Sequence, residues 1–175
     1  GTIDDPQERQ SYVDELESNS TTLTSLVNGI LDLSKIESGT THFTYSDFDI
    51  SYVCHDMFDS EQTTNNNKDI QYVLELSDEH LDVYSDMQRI AQVTQILLKN
   101  AKRFTEKGKI TMRTERSDNF AKVSVIDTGV GIAENELDNL FQRYFRTDEN
   151  KSVDGTGLNL SLCRAIIVVL GGEIG

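Results

Sequence analysis

Cysteine is scarce in this chain of 175 residues: Cys54 and Cys163 are the only two. They stand in unrelated apolar contexts, with no CxxC and no Cys/His ligand spacing. A disulfide framework and a thiolate metal site are therefore not indicated, and both thiols read as small core residues in a reduced, cytosolic setting. Positive charge is also in short supply. Sixteen Lys and Arg face thirty Asp and Glu, for a net charge of −14, and the acid is spread along the chain rather than gathered in a tail. That balance argues against unspecific binding of nucleic acid or of an anionic membrane. Any site for a phosphate must be built locally, against the overall field. Long apolar runs are missing too: Ile166 to Leu170 is far shorter than a membrane span, and no signal peptide is evident. Pro6 is the only proline, and there are no internal repeats or low-complexity tracts.

What is present begins with a central amphipathic segment, residues 85 to 105. Met87, Ile90, Val93, Leu97, Ala101 and Phe104 recur at three- and four-residue steps, which predicts a helix with one apolar face. Ser85 followed by Gln88 reads as a capping-box start. Ile96, Asn100 and Arg103 fall together on one flank of the stripe. An amide oxygen and a guanidinium one turn apart can hold a hard cation and the phosphate it bridges; the same pattern also describes a plain solvated helix edge.

Residues 6 to 37 form a second, longer helical pattern. Tyr12, Leu16, Asn19, Leu23, Leu26, Ile30 and Leu33 alternate four- and three-residue steps, a heptad seam. Val27 and Ile36 widen it, and Gly39 supplies the stop. At 1.5 Å per residue this helix is about 45 Å long, so its seam is expected to need partner helices in a bundle or dimer; the plainer reading is a core helix of the same domain. A domain boundary is placed at residue 39. Beyond it the pattern predicts a strand over HFTYSDFD, a helix over ISYVCHDMFDSEQ, a loop at 63–69 and a strand at 70–76. A short segment around LDVYS leads into the central helix. KITMRTE and FAKVSVID then form a hairpin around Ser117–Asn119. ENELDNLFQRYF reads as a short helix, TDENKSVD as a polar loop, and LNLSLCRAIIVVL as a helix apolar on most sides and hence buried. GGEIG looks like the start of a further strand. The expected class is α/β, an α+β two-layer sandwich with a mixed sheet and helices on one face.

Two short stretches carry candidate chemistry. The alternation of Ala121, Val123, Val125 and Asp127 puts Asp127 at the end of a core-facing row, where a carboxylate needs donors. An adenine amino group is one suitable donor, and Gly129 and Gly131 let the backbone approach a flat ring. Asp-Thr-Gly can equally be a simple turn. GVGIAE is not the dinucleotide GxGxxG, because Glu134 stands where the last glycine belongs. Gly155-Thr156-Gly157-Leu158 precedes the last helix, and such an entry offers N–H groups and a dipole end to phosphate. Neither a GxxxxGK[ST] loop nor an HRD signature is present.

In combination the motifs are specific. NAKRFT, DTGVGI, LFQRYFR and GTGL, in this order and spacing, resemble the nucleotide-binding domain of two-component sensor histidine kinases, in the wider group shared with gyrase, Hsp90 and MutL. LVNGILDLSKIESG resembles the end of that family's second dimerisation helix. The resemblance implies an ATP-dependent histidine protein kinase with ATP and Mg²⁺ as cofactors. Residues 1–39 would be the second dimerisation helix and 40–175 the catalytic domain. It implies that Asn100 ligates Mg²⁺, that Arg103 contacts phosphate and that Asp127 reads adenine. Gly129 and Gly131 would shape the pocket, which Phe104, Ile132, Tyr144, Thr156 and Leu158 would help to line. Phe141, Tyr144 and Phe145 would anchor a lid over 146–154, with Lys151 on phosphate and Gly155 and Gly157 closing it. The implied partners are a second copy, through the 6–37 helix, and a response regulator receiver domain, with no nucleic acid and no direct membrane contact by this stretch. The implied location is the cytoplasmic part of a membrane-anchored sensor.

The sequence departs from the family pattern at three places. Ile96 stands four before Asn100, where these kinases carry Asn or His and the hydrolysing relatives carry Glu; an isoleucine cannot activate water. Asn159 replaces a third glycine. No histidine has the acceptor context of His-Glu/Asp followed by a base and a proline: His42 and His80 lack it, and His55-Asp56 continues Met-Phe-Asp-Ser. The chain is therefore expected to be a fragment lacking the acceptor helix and the last strands, unable to phosphorylate itself. The rival readings are a non-catalytic nucleotide-binding or dimerisation module and a hydrolysing ATP clamp.

Overall fold

The computed structural model describes residues 6–65, 67–146 and 156–175. The heptad pattern becomes α1, Pro6–Glu37, a helix of 32 residues. It ends as the glycine requires. Gly39 takes φ 67°, its N–H donates to Ile36 O at 3.1 Å, and Thr40 N–H donates to Lys35 O at 2.9 Å, the two bonds of a Schellman stop. The last turns of α1 are covered: Leu33 and Ile36 are buried, while Leu16 is 68% and Leu23 62% exposed.

After α1 come β1 (Ser46–Asp49), α2 (Ile50–Thr63), β2 (Ile70–Glu75) and β3 (Asp82–Ser85). Then follow α3 (Met87–Phe104), β4 (Gly108–Ser117), β5 (Phe120–Asp127), a 3-10 turn over Glu134–Asn139 and α4 (Asn159–Val169). The strands divide into an antiparallel pair, β1–β3, and a mixed sheet in the order β2-β4-β5. β2 runs parallel to β4, and β4 and β5 form the expected hairpin, with Ser117 opposite Phe120 and Asp118 at φ 52°. One face of the mixed sheet carries Ile110 and Met112, both fully buried, against α2 and α3. The other face carries charge pairs, Arg113 with Glu75 and Lys122 with Glu115, as a solvated face should.

The core has two parts. Phe48, Val53, Cys54, Phe58, Leu98, Ala101, Ile110 and Met112 join α2, α3 and the sheet. Ile36, Val93, Leu162, Cys163 and Ile166 join α1, α3 and α4, with Phe43, Ile96 and Leu97 packed on. Helix α3 contributes to both, so two of its flanks are covered.

Four expectations need correction. Ser85 does not start α3: it ends β3, paired with Ser46. Asp86 caps instead, its Oδ1 accepting Arg89 N–H at 3.0 Å while Oδ2 accepts Thr44 N–H at 2.8 Å. The ENELDNLFQRYF stretch is a 3-10 turn over its first half and not an α-helix; the chain is bent by Tyr144 at φ 63°. Helix α4 is buried on one side only. Val168 is 61% exposed and lines, with Leu33, Phe141 and Arg143, a groove of about 590 Å³. Residues 171–175 make no strand. The TDENKSVD stretch lies outside the described residues.

Cys54 and Cys163 are both free and buried, and burial pushes each thiol up to about 12. Since the thiolate is the nucleophile, neither should react with a disulfide reagent at pH 8 in the native protein. Both should react promptly in denaturant. Thiol titration by absorbance checks this, and a thiol that titrates at once in buffer would contradict the packing.

Candidate functional site

The last turns of α3 and the loop that follows β5 meet at one end of the mixed sheet. Asn100 is half-buried and Arg103 exposed near the helix end, and the Arg103 guanidinium lies 5.7 Å from the Phe104 ring centre. Their flank runs from core to solvent. Ile96, one turn earlier, packs on the cluster formed with α4, whereas Asn100 and Arg103 lie progressively further out.

From the sheet side, the row Ala121, Val123, Val125 does pack on the core, but it leaves the core at its end. Asp127 is exposed, so the row is not core-facing through its last member. Its Oδ1 accepts the Gly129 N–H at 2.8 Å, a local turn that gives the carboxylate one donor and fixes its direction. Gly129 lies so close to α3 that a Cβ built there falls 2.2 Å from Phe104 O. Val130 N–H donates to that same carbonyl at 3.3 Å, satisfying one of the open carbonyls at the end of a helix. Glycine is required here by space. At Gly131 nothing lies within 4 Å, and glycine is required by its φ of 74°. Ile132 is 46% and Val130 65% exposed, an apolar rim beside the carboxylate.

The entry to α4 closes a third side. Gly157, at φ 66°, has its absent Cβ position 2.7 Å from the backbone of Tyr144, and Tyr144 N–H donates to Gly157 O at 2.9 Å. Two left-handed residues are thus clasped together, with the Tyr144 ring 61% exposed. Thr156 Oγ1 accepts the Leu158 N–H at 3.3 Å. The Leu158 side chain points inward; it is 2% exposed and packs 3.8 Å from where Gly29 of α1 would carry a Cβ. It serves as an anchor rather than an open wall. Phe141 sits under the Arg164 guanidinium at 6.0 Å, Phe145 is half-buried, and Arg143 pairs with Glu37 at the end of α1. Lys151 and Gly155, and the lid over 146–154 apart from Arg146, lie outside the described residues.

The structure therefore brings Asn100, Arg103, Phe104, Asp127 and Gly129 to one corner, with Tyr144 and Gly157 clasped at the entry to α4. One contributor was passed over in the sequence. Thr128 Oγ1 accepts the Lys109 N–H at 2.9 Å, and its own N–H donates to Lys109 O at 3.1 Å. The signal was Gly108, placed at the head of the partner strand. Its φ is 117°, and a Cβ there would meet Thr128 Oγ1 at 2.2 Å.

The two glycines of this loop should respond differently to alanine. Gly129→Ala must displace α3 or the loop and should destabilise the fold by about 1–3 kcal/mol. Gly131→Ala meets only backbone strain and should cost about 1–2 kcal/mol. Urea unfolding measures both. Nucleotide titration should show the larger loss of binding for Gly129→Ala, because only that change moves the carboxylate against α3.

Residues 85–175 match the family described as histidine kinase-, DNA gyrase B-, and HSP90-like ATPase. The circadian input-output histidine kinase CikA of Synechococcus elongatus is 32% identical over 173 residues, which is 96% of this chain and 23% of that protein. The chain thus spans about a quarter of that relative. Among solved structures, the histidine kinase AdeS of Acinetobacter baumannii superposes with a TM-score of 0.75 at 28% identity, over 99% of this chain and 79% of that one. The histidine kinase ThkA, in complex with the response regulator protein TrrA, gives 0.76 at 25% identity, over 97% of this chain and 47% of that one. The chain belongs to the histidine kinase-, DNA gyrase B-, and HSP90-like ATPase family, as an ATP-binding catalytic region of the sensor histidine kinase type.

Proposed function

We propose that the corner between α3 and the 127–131 loop binds Mg-ATP, and that the chain directs transfer of its γ-phosphoryl group to a histidine on another segment. The observation that carries this is the contact of Gly129 and Val130 with Phe104 O, which sets Asp127 beside the turn bearing Asn100 and Arg103. Asp127, with one oxygen taken by the Gly129 N–H, has acceptor capacity left for an adenine amino group. Val130 and Ile132 offer apolar surface to the ring, and Tyr144 a further one. Arg103 stands where a polyphosphate leaves the pocket. Lys151, Gly155 and Thr156 are assigned to the phosphate end by the resemblance alone.

Magnesium suits this donor set. The ion keeps several waters and takes one or two protein oxygens together with substrate phosphates. Among the described residues no group of three or more His, Cys, Asp or Glu could hold a metal by itself. Asn100 supplies one half-buried amide oxygen, so the ion would enter with the nucleotide. In the transfer, the bond from the γ-phosphorus to the bridging oxygen breaks, a bond to the acceptor imidazole nitrogen forms, and ADP leaves. The protein's share of this is orientation and charge. The position from which hydrolysing relatives activate water is held here by Ile96, packed on an apolar cluster, which favours transfer over hydrolysis.

Residues 1–39 are assigned to a dimerisation unit and 40–175 to the catalytic domain. A response regulator is the proposed next recipient, by analogy with the complex of ThkA with TrrA. No helix among the described residues is long and apolar enough to cross a membrane.

Nucleotide titration with and without metal tests the site. Asp127→Asn should weaken ATP by about 10- to 100-fold through loss of a charge-assisted hydrogen bond. Asn100→Ala should remove most of the Mg²⁺ dependence of ATP binding while leaving adenosine nearly unaffected. Given Mg-ATP and a separate acceptor-helix peptide, the chain should place acid-labile phosphate on the peptide and none on His42, His55 or His80. Rapid phosphate release without an acceptor would favour a hydrolysing clamp.

The uncovered seam of α1 generates a further expectation. Tyr12, Leu16, Leu23, Val27 and Ile30 are all more than 40% exposed, and a contiguous apolar stripe of this length favours association. Sedimentation should show dimer or tetramer at micromolar concentration, and Leu16→Glu with Leu23→Glu should return the chain to monomer.

A further inference from the structure

We infer that Thr128 is a positioning residue for the nucleotide site, acting by ending the β4–β5 ladder one step past Asp127. The ladder runs to the pair Ile110 and Asp127. At the next step an antiparallel pair would exchange two backbone hydrogen bonds. Only one of them is made by backbone alone, from Thr128 N–H to Lys109 O at 3.1 Å. In the other, the Lys109 N–H goes to Thr128 Oγ1 at 2.9 Å, with the hydroxyl also 3.4 Å from Lys109 O. The side chain stands in for its own carbonyl. The strand is thereby held to β4 while the main chain after Thr128 is released to turn away. It turns at once: Gly129 N–H bends back to Asp127 Oδ1 at 2.8 Å, and Val130 N–H reaches Phe104 O on α3 at 3.3 Å.

The hydroxyl therefore sits at the pivot between two fixed bodies, the head of β4 and the end of α3, with the Asp127 carboxylate between them. Gly108 leaves the space it occupies, since a Cβ at 108 would meet Thr128 Oγ1 at 2.2 Å. A valine at 128 has nearly the same shape and would leave the Lys109 N–H to solvent. Stability should change little at this exposed place, but the direction of Asp127 should loosen. Serine would keep the hydroxyl and hence the hold.

This inference rests on the reading of Asp127 as the adenine contact, and the test separates the two. Thr128→Val, Thr128→Ser and Asp127→Asn are compared, with Thr128→Val also placed on the Asp127→Asn background. Adenosine and Mg-ADP affinities are measured by calorimetry, and the Gly129 amide resonance by nuclear magnetic resonance without nucleotide. Thr128→Val should weaken adenosine and Mg-ADP alike, by about fivefold, since the effect passes through the base contact and not the phosphates. Thr128→Ser should bind as the parent does. On the Asp127→Asn background the valine should cause no further loss, as coupled sites require. The Gly129 amide should shift in Thr128→Val and return in Thr128→Ser. An equal fivefold loss on the Asp127→Asn background, or a Gly129 amide unmoved by valine, would overturn the inference. A Gly129 amide that moves as expected in a chain that binds no adenosine would uphold the pivot and sink the nucleotide reading.

Discussion

Burial of α3 on two flanks is the constraint from which the rest of this structure follows. Leu98 and Ala101 face the core shared with α2 and the sheet, and Val93 faces the core shared with α1 and α4. A helix gripped on two sides has little freedom to roll or slide, because packed interiors interdigitate and resist small displacements. Its end can then be left open without losing position. Asn100 and Arg103 occupy that end, and the glycine loop crosses it on the Phe104 carbonyl. The start of the helix is fixed as firmly, by one buried carboxylate. Asp86 is 5% exposed, and its two oxygens satisfy N–H groups of the helix and of the linker from α1.

The same arrangement explains how a strongly acidic chain offers a place to a polyphosphate. With a net charge of −14, long-range attraction of ATP is absent, and screening confines what remains to about 10 Å. Binding must come from short-range donors placed in advance. Glu75 and Glu115 are already engaged in ion pairs on the outer face of the sheet. The Asp127 carboxylate is held in direction by the Gly129 N–H.

Much of this was legible in residues. The three- and four-residue steps of α1 and α3 and the hairpin of β4 and β5 are set by local periodicity, and the structure keeps them. Gly39 stops α1 as a left-handed residue should. Most of the misreadings come from contacts distant in sequence. Ser85 and Asp86 are both good caps, and only the pairing of residues 46–49 with 82–85 decides between them. The stretch 134–145 has helical spacing, yet Tyr144 is drawn to the Gly157 carbonyl and takes a conformation that no helix allows. Helix α4 is apolar enough to be buried all round, but its neighbours cover one side. Asp127 follows a core-facing alternation that simply outruns the core. Thr128 was hidden for a similar reason: its importance lies in Lys109, nineteen residues earlier, and in a glycine whose missing side chain makes the room.

The glycines of the site show why motif and geometry must be read together. Gly129, Gly131 and Gly157 look alike in sequence, but they answer different demands. Gly129 is forced by the Phe104 carbonyl of α3, Gly131 by its own backbone angle, and Gly157 by its angle together with the Tyr144 backbone packed against it. A Cβ built at Gly131 would meet nothing within 4 Å, whereas the space at Gly129 is already taken by α3. Gly131 therefore answers to its backbone angle alone, whereas Gly129 sets the loop, and with it the Asp127 carboxylate, against α3. The sequence motif joins the two because a loop that packs on a helix and then turns sharply away has no room for a side chain at the first point and a strained backbone for one at the second.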